Sequence, residues 1–502
     1  MLLTSPLPDL EVPATDFSSI VLERGRRLGE KVALVNAATG ERLTYADFVQ
    51  AVEATAGGFV QDGITHGQRV VICGFNGLDY AVAAHAVWRA GGTVVTMNPL
   101  FTVAEMQTQL RDAAPYALVT AAEVAERSHE AARLVGVRQT YALDRLPTAS
   151  PPPAPEVDPA NAVALILYSS GTTGLPKGVM VTHRNLSAAV MQLFSGDLAR
   201  EADVLVAVSP FYHVVGLHGI LNLGLFAGAT TVCMVRYDTR QFLQAVQDYR
   251  VSSVFLTPPV VTDLTKNPVV NAYTVSSLRS ILCAAAPLSG EVEQAAARRL
   301  GCWVRQGFGM TETTGPVSTT IDRDGQAYGS VGPPVPNTEV KILETGELLV
   351  RGPQVMRGYL NNPEATAASI EADGFLHTGD IGRADAQGNL YIVDRVKEII
   401  KYNAYQVAPA ELEGVLLAHP GVLDVAVVPS PDPDCGEIPK AFVVPRAEAV
   451  GAEDLMAYVA ERVAPYKRVR AVEFVESIPK SPTGKLLRRV LIERERAAHT
   501  RA

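Results

Sequence analysis

The sequence predicts an α/β protein with a large amino-terminal domain of doubly wound sheets, a β-rich subdomain within it, and a small α+β domain at the carboxyl end. Its 502 residues allow two to four domains at roughly 150 residues each, and 47% hydrophobic content suffices for a large core. Short β-branched runs such as RVVICGF alternate with helical patterns such as YAVAAHAVWRA. Repeated βα units of this kind indicate parallel sheets that are covered on both faces.

The stretch from 204 to 235 requires a membrane check, because it contains no Asp, Glu, Lys or Arg. Its length exceeds the roughly 20 residues of a spanning helix. It also contains Pro210, Asn222 and four glycines, and it divides into VLVAVSP, GLHGILNLGLFAG and ATTVCMV. We therefore predict a buried strand, helix and strand in this stretch, and no membrane span.

Beyond about residue 318 the pattern changes to runs such as EVKIL, GELLVRG and NLYIVDR with hairpin-like turns, which predicts an antiparallel β-rich part. After Arg395 it changes again, to helices over ELEGVLLAH and DLMAYVAERV and strands over VLDVAVV, KAFVVP and VEFV. We therefore expect a large domain over 1–395 and a small α+β domain over 396–502.

The composition argues against several classes of protein. Forty-four basic residues against 53 acidic ones give a net charge of −9, and no Lys/Arg cluster dominates any segment, so we expect no nucleic acid partner. The five cysteines are scattered without a CxxC pair, which argues against a zinc or redox site and favours a cytoplasmic location. Asp9 and Glu11 precede the first basic residue, Arg24, so we expect no secretory signal.

The run YSSGTTGLPKG, at 168–178 after the strand pattern AVALIL, is the strongest local signal. Its glycines allow close approach of the backbone to a ligand, and its hydroxyl groups and lysine offer donors to phosphate oxygens. A Walker A loop is disfavoured, because Lys177 is followed by Gly178 rather than by Ser or Thr. We interpret the run as a phosphate-binding loop formed by Ser169, Ser170, Gly171, Thr172, Thr173, Gly174 and Lys177.

This loop resembles the signature of the adenylate-forming superfamily, in particular its acyl-CoA synthetase and coumarate-CoA ligase-like branch. Further motifs of that superfamily follow in order, which are QGFGMTE at 306–312, HTGD at 377–380, YIVDRVKEIIK at 391–401 and PKSPTGK at 479–485. The resemblance implies an AMP-forming acid–thiol ligase that uses ATP, Mg²⁺ and coenzyme A on a small-molecule carboxylic acid. It also implies that the small domain is mobile, with a hinge near Lys397.

Activation of a carboxylate requires that phosphate charge is neutralised and that the reactants are aligned. Glu312 is the natural Mg²⁺ ligand, because a hard cation prefers a carboxylate oxygen, and Thr311 stands beside it for a phosphate group. Phe308 offers a flat face for adenine, and by resemblance Asp380 accepts hydrogen bonds from the ribose hydroxyls. The nucleotide-binding set that the resemblance implies, beyond the phosphate-binding loop, is Gln306, Gly307, Phe308, Thr311, Asp380, Arg395 and Gln406.

The resemblance also assigns catalytic roles. Lys485 resembles the lysine that bridges the attacking carboxylate and the α-phosphate. Lys401 and Gln406 match residues that act around the adenylate, but the loop between them carries Asn403 and Ala404 where relatives commonly have Lys and Gly. A β-carbon at that glycine position would narrow the path of the pantetheine arm. The resulting catalytic set is Lys485, Glu312, His213, Lys401 and Thr172.

The acid pocket is predicted around His213, which in SPFYHVVGL matches the histidine that borders the acyl pocket in the family, whereas His218 is interpreted as structural. Positions where aromatic-acid ligases often carry polar side chains are apolar or small in this chain. The predicted pocket consists of His213, Val215, Gly219, Leu282, Ala284, Ala285 and Ala286. Small apolar walls predict a bulky, largely apolar acid, of aryl, polycyclic or long-chain type, rather than acetate or malonate.

Other functions remain open on the sequence. The chain could adenylate an acid and load a carrier protein instead of free coenzyme A, act as a luciferase-like oxygenase, or bind adenylates without catalysis. The last alternative predicts decayed catalytic positions, yet Lys485, Glu312, Asp380 and Arg395 are all present. An amino acid substrate is disfavoured, because the stretch from 204 to 235 lacks the aspartate that binds the substrate amine in amino-acid-activating relatives.

Overall fold

A computed structural model describes residues 1–169, 176–286, 288–395, 398–402, 405–432, 435–446, 450–481 and 486–501. Its strands are, in chain order, β1 (Leu2–Thr4), β2 (Val32–Asn36), β3 (Arg42–Thr44), β4 (Arg69–Cys73), β5 (Thr93–Met97), β6 (Ala117–Thr120), β7 (Gln139–Ala142), β8 (Val163–Ser169), β9 (Lys177–Thr182), β10 (Val204–Ala207), β11 (Thr230–Cys233), β12 (Ser253–Leu256), β13 (Ser280–Cys283), β14 (Trp303–Met310), β15 (Gly315–Thr319), β16 (Glu339–Ile342), β17 (Glu347–Arg351), β18 (Gly358–Tyr359), β19 (Leu376–Ala384), β20 (Leu390–Arg395), β21 (Ile400–Tyr402), β22 (Tyr405–Val407), β23 (Val422–Asp432), β24 (Gly436–Pro445) and β25 (Ala471–Phe474). Its α-helices are α1 (Phe17–Leu28), α2 (Tyr45–Gln61), α3 (Leu78–Arg89), α4 (Val103–Ala113), α5 (Ala125–Val135), α6 (His183–Ser195), α7 (Leu223–Ala227), α8 (Thr239–Tyr249), α9 (Pro258–Lys266), α10 (Gly290–Leu300), α11 (Pro363–Ser369), α12 (Pro409–Ala418), α13 (Ala452–Ala460) and α14 (Arg488–Arg501).

Two mainly parallel sheets form most of the large amino-terminal part. In one the strand order is β18-β9-β8-β5-β4-β6-β7, and in the other it is β15-β14-β13-β12-β10-β11-β2-β3. The central strands, such as β5 and β13, are buried along their whole length, as runs of β-branched residues between helices predict. This arrangement confirms the predicted α/β class.

The β-rich part is an antiparallel sheet of order β1-β16-β17-β19-β20, and the carboxyl-terminal part is built on β22-β21-β24-β23 with β25 beside β24. The predicted helices and strands of that last part are all present. The elements that were not predicted from the sequence include two at the ends of the chain. One is β1, which pairs Leu3 with Val340 across most of the chain, and the other is the terminal helix α14.

The uncharged stretch from 204 to 235 folds as β10, a π-helical turn over Val215–Asn222, α7 and β11, which confirms the predicted strand, helix and strand. Most of its apolar side chains are buried, and Leu205 and Leu221 are fully buried in the core. Within the described ranges, no helix is both long enough and apolar enough to cross a bilayer.

The start of α6 positions a segment that later reaches the site. Thr182 and Asn185 form a capping box, in which each side chain accepts a hydrogen bond from the other residue's backbone N–H. Asn185 Nδ2 also donates to the carbonyl oxygens of Pro353 at 2.7 Å and Val355 at 2.9 Å. The next residue, Met356, donates its N–H to the carbonyl oxygen of Glu312 at 2.8 Å. One helix cap therefore holds the segment around 353–356 against the predicted metal ligand.

Candidate active site

The phosphate-binding loop is held at its base by the two strands that flank it. β8 ends at Ser169 and β9 begins at Lys177, and these residues are paired in antiparallel register. Lys177 Nζ lies 4.8 Å from the ring centroid of Tyr359, so the lysine that is predicted to meet phosphate stands against an aromatic face. The remaining predicted loop residues, which lie outside the described ranges, are Ser170, Gly171, Thr172, Thr173 and Gly174.

Glu312 is a buried carboxylate on the 3₁₀ turn that follows β14, with 7% of its surface exposed. The phenol of Tyr359 donates a hydrogen bond to Glu312 Oε1 at 3.1 Å, and the same ring faces Lys177. Burial and the neighbouring Glu312 charge raise the pKa of Tyr359, so the phenol keeps the proton that it donates. Lys177, Tyr359 and Glu312 therefore form one cluster. Tyr359 was not indicated by any of the sequence motifs.

The chemistry of this cluster suits Mg²⁺. Among the described residues no group of three or more potential metal ligands converges, so Glu312 would hold a cation with few other protein ligands. Mg²⁺ is usually bound in this way, through one or two carboxylates, substrate phosphates and water. Glu312 provides a buried carboxylate that shares the Tyr359 side chain with Lys177, and Thr311 precedes it on the same turn. The residues present therefore fit the ion that the resemblance implies.

Asp380 and Arg395 face each other across the β19–β20 pair. Arg395 Nε lies 3.2 Å from Asp380 Oδ1, and Asp380 is only 4% exposed. Thr378 orients this turn, because its hydroxyl donates to the carbonyl oxygen of Leu348 at 2.7 Å and accepts the N–H of Asp380 at 3.0 Å. The intervening Gly379 has a φ of 69°, a conformation that favours glycine. The HTGD motif thus forms a turn that presents one carboxylate next to one guanidinium.

Gln306 and Phe308 lie on β14, at the end that leads to Glu312. The amide of Gln306 is occupied by protein partners: Oε1 accepts the N–H of Leu288 at 3.0 Å, and Nε2 donates to the Leu288 carbonyl at 3.0 Å and to Glu293 Oε2 at 2.9 Å. Gln306 would therefore contribute to nucleotide binding by fixing the segments bonded to it, and not through a direct contact of its amide with the nucleotide. Phe308 is partly buried, and a β-bulge follows it at Gly309.

A cleft of about 1390 Å³ lies between the large amino-terminal part and the carboxyl-terminal elements. Its lining includes the following residues of the predicted nucleotide set: Gln306, Gly307, Phe308, Asp380 and Arg395. Lys480 and Leu486, which flank the predicted catalytic Lys485 in the sequence, line the same cleft. Lys485 itself lies outside the described residues, as does the predicted hinge Lys397.

Lys401 and Gln406 pair with each other in the short β21–β22 hairpin. Lys401 is exposed, and its N–H donates to Glu437 Oε2 at 2.8 Å. Lys401 does not belong to the lining of the cleft that the described residues form. Asn403 and Ala404, at the tip of this hairpin, lie outside the described ranges. In this orientation of the chain, Lys401 is therefore not brought to the predicted nucleotide residues.

The predicted acid-pocket residues form a wall behind the cleft. Val215 and Gly219 lie on the π-helical turn, and a β-carbon added to Gly219 would lie 3.7 Å from the ring of Phe255. Phe255 on β12 is paired in register with Leu282 on β13. Leu282 Cδ1 in turn lies 3.3 Å from the place of a β-carbon on Gly307, which lines the cleft. The wall is thus continuous with the nucleotide side, and Phe255 belongs to it although no motif pointed to it.

The three alanines after β13 lie where the two sides meet. Ala285 and Ala286 line the cleft, whereas Ala284, which follows β13 directly, is not part of that lining. Ala285 has a φ of 76°, which is unusual for a residue with a β-carbon and costs roughly 1 kcal/mol. Backbone strain of this kind is concentrated at functional sites.

His213 precedes the π-helical turn, and its ring lies 4.7 Å from that of Tyr212. Within the described structure, its Nε2 is shielded from solvent and has no hydrogen-bond partner. Burial lowers the pKa of His213 to about 4, so the ring is neutral at pH 7. His218, by contrast, is fully buried and bonded through Nδ1 to Asn222 Nδ2 at 3.1 Å, which agrees with a structural role.

The comparisons with known proteins agree with this geometry. The family model for the AMP-binding enzyme matches residues 21–360, and the model for its C-terminal domain matches 411–485. The chain is 40% identical to 4-coumarate–CoA ligase 5 of Oryza sativa subsp. japonica, over 97% of this chain and 96% of the relative. It is 37% identical to 4-coumarate–CoA ligase 2 of Petroselinum crispum, over 98% and 96%.

A solved structure supports the same assignment. ATP-bound MatB from Rhodopseudomonas palustris superposes with a TM-score of 0.87 at 28% identity, over 95% of this chain and 98% of that one. The matched length leaves no large part of either chain unaccounted for. The chain therefore belongs to the AMP-binding enzyme family, in the acyl-CoA synthetase and coumarate-CoA ligase branch of the adenylate-forming enzymes.

Proposed function

We propose that this protein is an ATP-dependent acyl-CoA ligase for a bulky, largely apolar carboxylic acid of aryl, polycyclic or long-chain type. As an AMP-forming acid–thiol ligase it uses ATP, Mg²⁺ and coenzyme A. The acid carboxylate attacks the α-phosphate of ATP and displaces pyrophosphate, and the thiol of coenzyme A then displaces AMP from the acyl-adenylate. We assign this activity to the cytoplasm on the scattered arrangement of its cysteines.

The proposed substrate class is based on the apolar residues that form the wall behind the cleft. Val215, Gly219, Phe255 and Leu282 contribute only aliphatic, aromatic or backbone surface to it. Gly219 leaves room for a substrate group, since a β-carbon there would make only ordinary contacts, at 3.7 Å or more. A small charged acid such as malonate would lose its hydration against this wall without gaining a partner. A bulky apolar acid gains from the same contact by burying its own surface.

The roles that we propose on the nucleotide side are based on the Lys177–Tyr359–Glu312 cluster and on the β19–β20 hairpin. We propose that Lys177 meets the phosphates and that Glu312 holds the metal, with Tyr359 orienting the Glu312 carboxylate. Bound Mg²⁺ would neutralise charge on the phosphates and so favour attack by the carboxylate. Asp380 is proposed to accept hydrogen bonds from the ribose, with Arg395 next to it.

Catalytic roles for the carboxyl-terminal lysines are proposed from the motifs. Lys485 would stabilise the charge that develops between the carboxylate and the α-phosphate, and Lys401 would act after rotation of the small domain about Lys397. Lys485→Ala should then abolish most adenylate formation while ATP binding persists, whereas Lys401→Ala should mainly impair thioester formation. An unchanged rate of adenylate formation in Lys485→Ala would refute this assignment.

The function is tested by pyrophosphate release across a panel of aryl, polycyclic, long-chain and small acids, each with and without coenzyme A, with product masses recorded. Acyl-CoA formed from one bulky class, and not from acetate or malonate, is the expected result. Preference for acetate or malonate would overturn the proposed substrate class. Pyrophosphate and adenylate without thioester would overturn coenzyme A as acceptor and favour a carrier protein.

A further inference from the structure

Glu293, in the first turn of α10, is a fully buried carboxylate that accepts hydrogen bonds from three donors. Gln306 Nε2 donates to Oε2 at 2.9 Å, the Gly329 N–H donates to Oε2 at 2.7 Å, and Gln326 Nε2 donates to Oε1 at 2.5 Å. The bonds from Gly329 and Gln326 are shorter than the length of about 2.9–3.0 Å that is usual for an N–H···O bond, as expected for a carboxylate acceptor. The carboxylate is thus fully enclosed by polar partners although it lies away from solvent.

The three donors come from two segments that border the cleft, β14 and the loop that contains Gln326 and Gly329. Gln306 belongs to β14 and fixes Leu288 through both its N–H and its carbonyl oxygen. Gly329 is the neighbour of Tyr328, and Leu288, Gln306, Tyr328 and Gly329 all line the cleft. Glu293 itself does not line it. The Glu293 carboxylate therefore connects the Gln306 and Tyr328–Gly329 segments of the cleft lining directly, and the Leu288 segment through Gln306.

The packing around this carboxylate leaves little freedom. A β-carbon added to Gly290, at the start of α10, would lie only 3.1 Å from the carbonyl carbon of Tyr328. Trp303 Nε1 donates to Gln326 Oε1 at 2.6 Å, which fixes the orientation of the amide whose Nε2 bonds to Glu293. The network therefore fixes the position of β14 at Gln306, immediately before Gly307, which also lines the cleft.

The hydrogen-bond partners of Glu293 are neutral, so no positive charge compensates for the burial of its carboxylate. Within the described residues it forms no ion pair, and burial raises the pKa of Glu293 to about 6 although the three donors oppose that rise. The titratable groups whose pKa values respond to its charge are Cys283 on β13 and Tyr391 on β20.

We propose that Glu293 is a positioning residue for the nucleotide half of the site, which sets the Leu288, Gln306–Phe308 and Tyr328–Gly329 segments of the wall without touching ATP itself. This inference rests on the proposed function only in taking ATP as the ligand of the cleft. It does not depend on which acid is activated.

The test is Glu293→Gln, with Glu130→Gln on the exposed face of α5 as the matched control. The glutamine keeps the shape of the side chain but directs N–H groups toward at least one N–H donor of the network. We expect the Kd of ATP, measured by calorimetry without acid, to rise about tenfold, because an unsatisfied buried donor carries a penalty of that size. The KM of the acid should stay within about twofold, and Glu130→Gln should change neither constant.

An unchanged Kd of ATP in folded Glu293→Gln would overturn the proposal, as would equal changes in the constants for ATP and acid. Reduced stability of Glu293→Gln without a change in the Kd of ATP would indicate a structural role alone.

If Glu293→Gln does not fold, Gln326→Met removes one donor and leaves the bond to Gln306 in place. It should raise the Kd of ATP by about threefold, and no change would overturn the proposal. An acid panel without any active member would refute the proposed function but not this inference, because ATP binding is measured without acid. Conversely, active acids with unchanged ATP affinity in both variants would refute only the inference.

Discussion

The two halves of the candidate site are built in different ways. The nucleotide half contains buried charged groups with defined hydrogen bonds, such as Glu312 with Tyr359 and Asp380 with Arg395. The acid half is a surface of carbon atoms, with Phe255 and Leu282 from neighbouring strands behind Gly219. Charged chemistry requires particular residue types at fixed places, whereas an apolar wall requires only volume and shape. The first half is therefore encoded by short motifs, whereas the second is formed by apolar residues that belong to no such motif.

This difference predicts unequal responses to mutation. Substitutions on the nucleotide side should reduce activity on every acid by the same factor, because all acids share ATP. Substitutions on the acid side should change the ranking of acids and leave the constants for ATP unaltered. Measuring both sets of constants for each variant tests the comparison directly.

The largest effect is expected for Glu312→Gln. The amide retains the shape of the side chain but loses the charge that would hold Mg²⁺ at the phosphates. Loss of an electrostatic contact to the transition state lowers rates by about 10²- to 10³-fold. We therefore expect a loss of this size in pyrophosphate release with every acid.

Tyr359→Phe is the matched control for this cluster, since it keeps the ring over Lys177 and removes only the hydrogen bond to Glu312. Its loss should be less than about tenfold, which is the scale of one hydrogen bond. Equal losses in Glu312→Gln and Tyr359→Phe would show that orientation, rather than charge, is the contribution of Glu312.

The next effect is expected for Asp380→Asn. An amide cannot accept hydrogen bonds through both atoms, as the proposed ribose role of Asp380 requires, and it weakens the contact with Arg395 Nε, which lies at 3.2 Å. Loss of a charge-assisted hydrogen bond predicts an increase of about 10- to 100-fold in the KM of ATP. Initial-rate kinetics at varied ATP with a saturating acid provide the measurement.

Asp385→Asn, at the far turn of the same hairpin, provides the control for Asp380→Asn. An asparagine there can still accept the N–H groups of Gln387 and Asn389, so the hairpin should keep its turn. The KM of ATP should remain within about twofold. An increase as large as that of Asp380→Asn would mean that the hairpin, and not the carboxylate at the cleft, determines ATP affinity.

A smaller and more selective effect is expected for Gly219→Ala. The new β-carbon meets Phe255 at 3.7 Å and Val215 at 3.9 Å, so it fits the fold and removes space only from the acid. One methyl group in an apolar pocket changes discrimination by about tenfold. We expect kcat/KM to fall by that factor for the bulkiest acid relative to the smallest accepted acid, with the KM of ATP unchanged. A constant ratio would show that Gly219 does not face the acid.

The sequence predicted the α/β class, the buried strand, helix and strand in the uncharged stretch, and the family, because local patterns and ordered motifs carry that information. It did not predict Tyr359 or Phe255. Tyr359 reaches the site because β18 pairs with β9, and Phe255 because β12 lies beside β13. Both contacts depend on pairings between distant segments, which leave no trace in a local pattern. Glu293 was missed for the same reason, since its donors lie 13 to 36 residues away.

The acid half also leads to a prediction about the pH dependence of stability. Burial lowers the pKa of His213 to about 4, from an ordinary value of 6.5. Between these values the unfolded chain binds a proton that the folded chain does not, so this residue lowers the free energy of unfolding as the pH falls. His85 and His218, whose pKa values burial lowers to about 3, act in the same direction and are unchanged in a His213 variant.

The smallest effect should therefore be seen in His213→Gln. The amide removes the titration, so on going from pH 7.5 to pH 5 the wild-type protein should lose more stability than the variant, by on the order of 1 kcal/mol. Urea unfolding at both values measures this difference. Because His213 is neutral at pH 7, the pH profile of pyrophosphate release above pH 6 should keep its shape in the variant. If the variant's profile loses an ionisation near pH 6.5, His213 is charged during catalysis. The acid half would then resemble the nucleotide half in its use of charge.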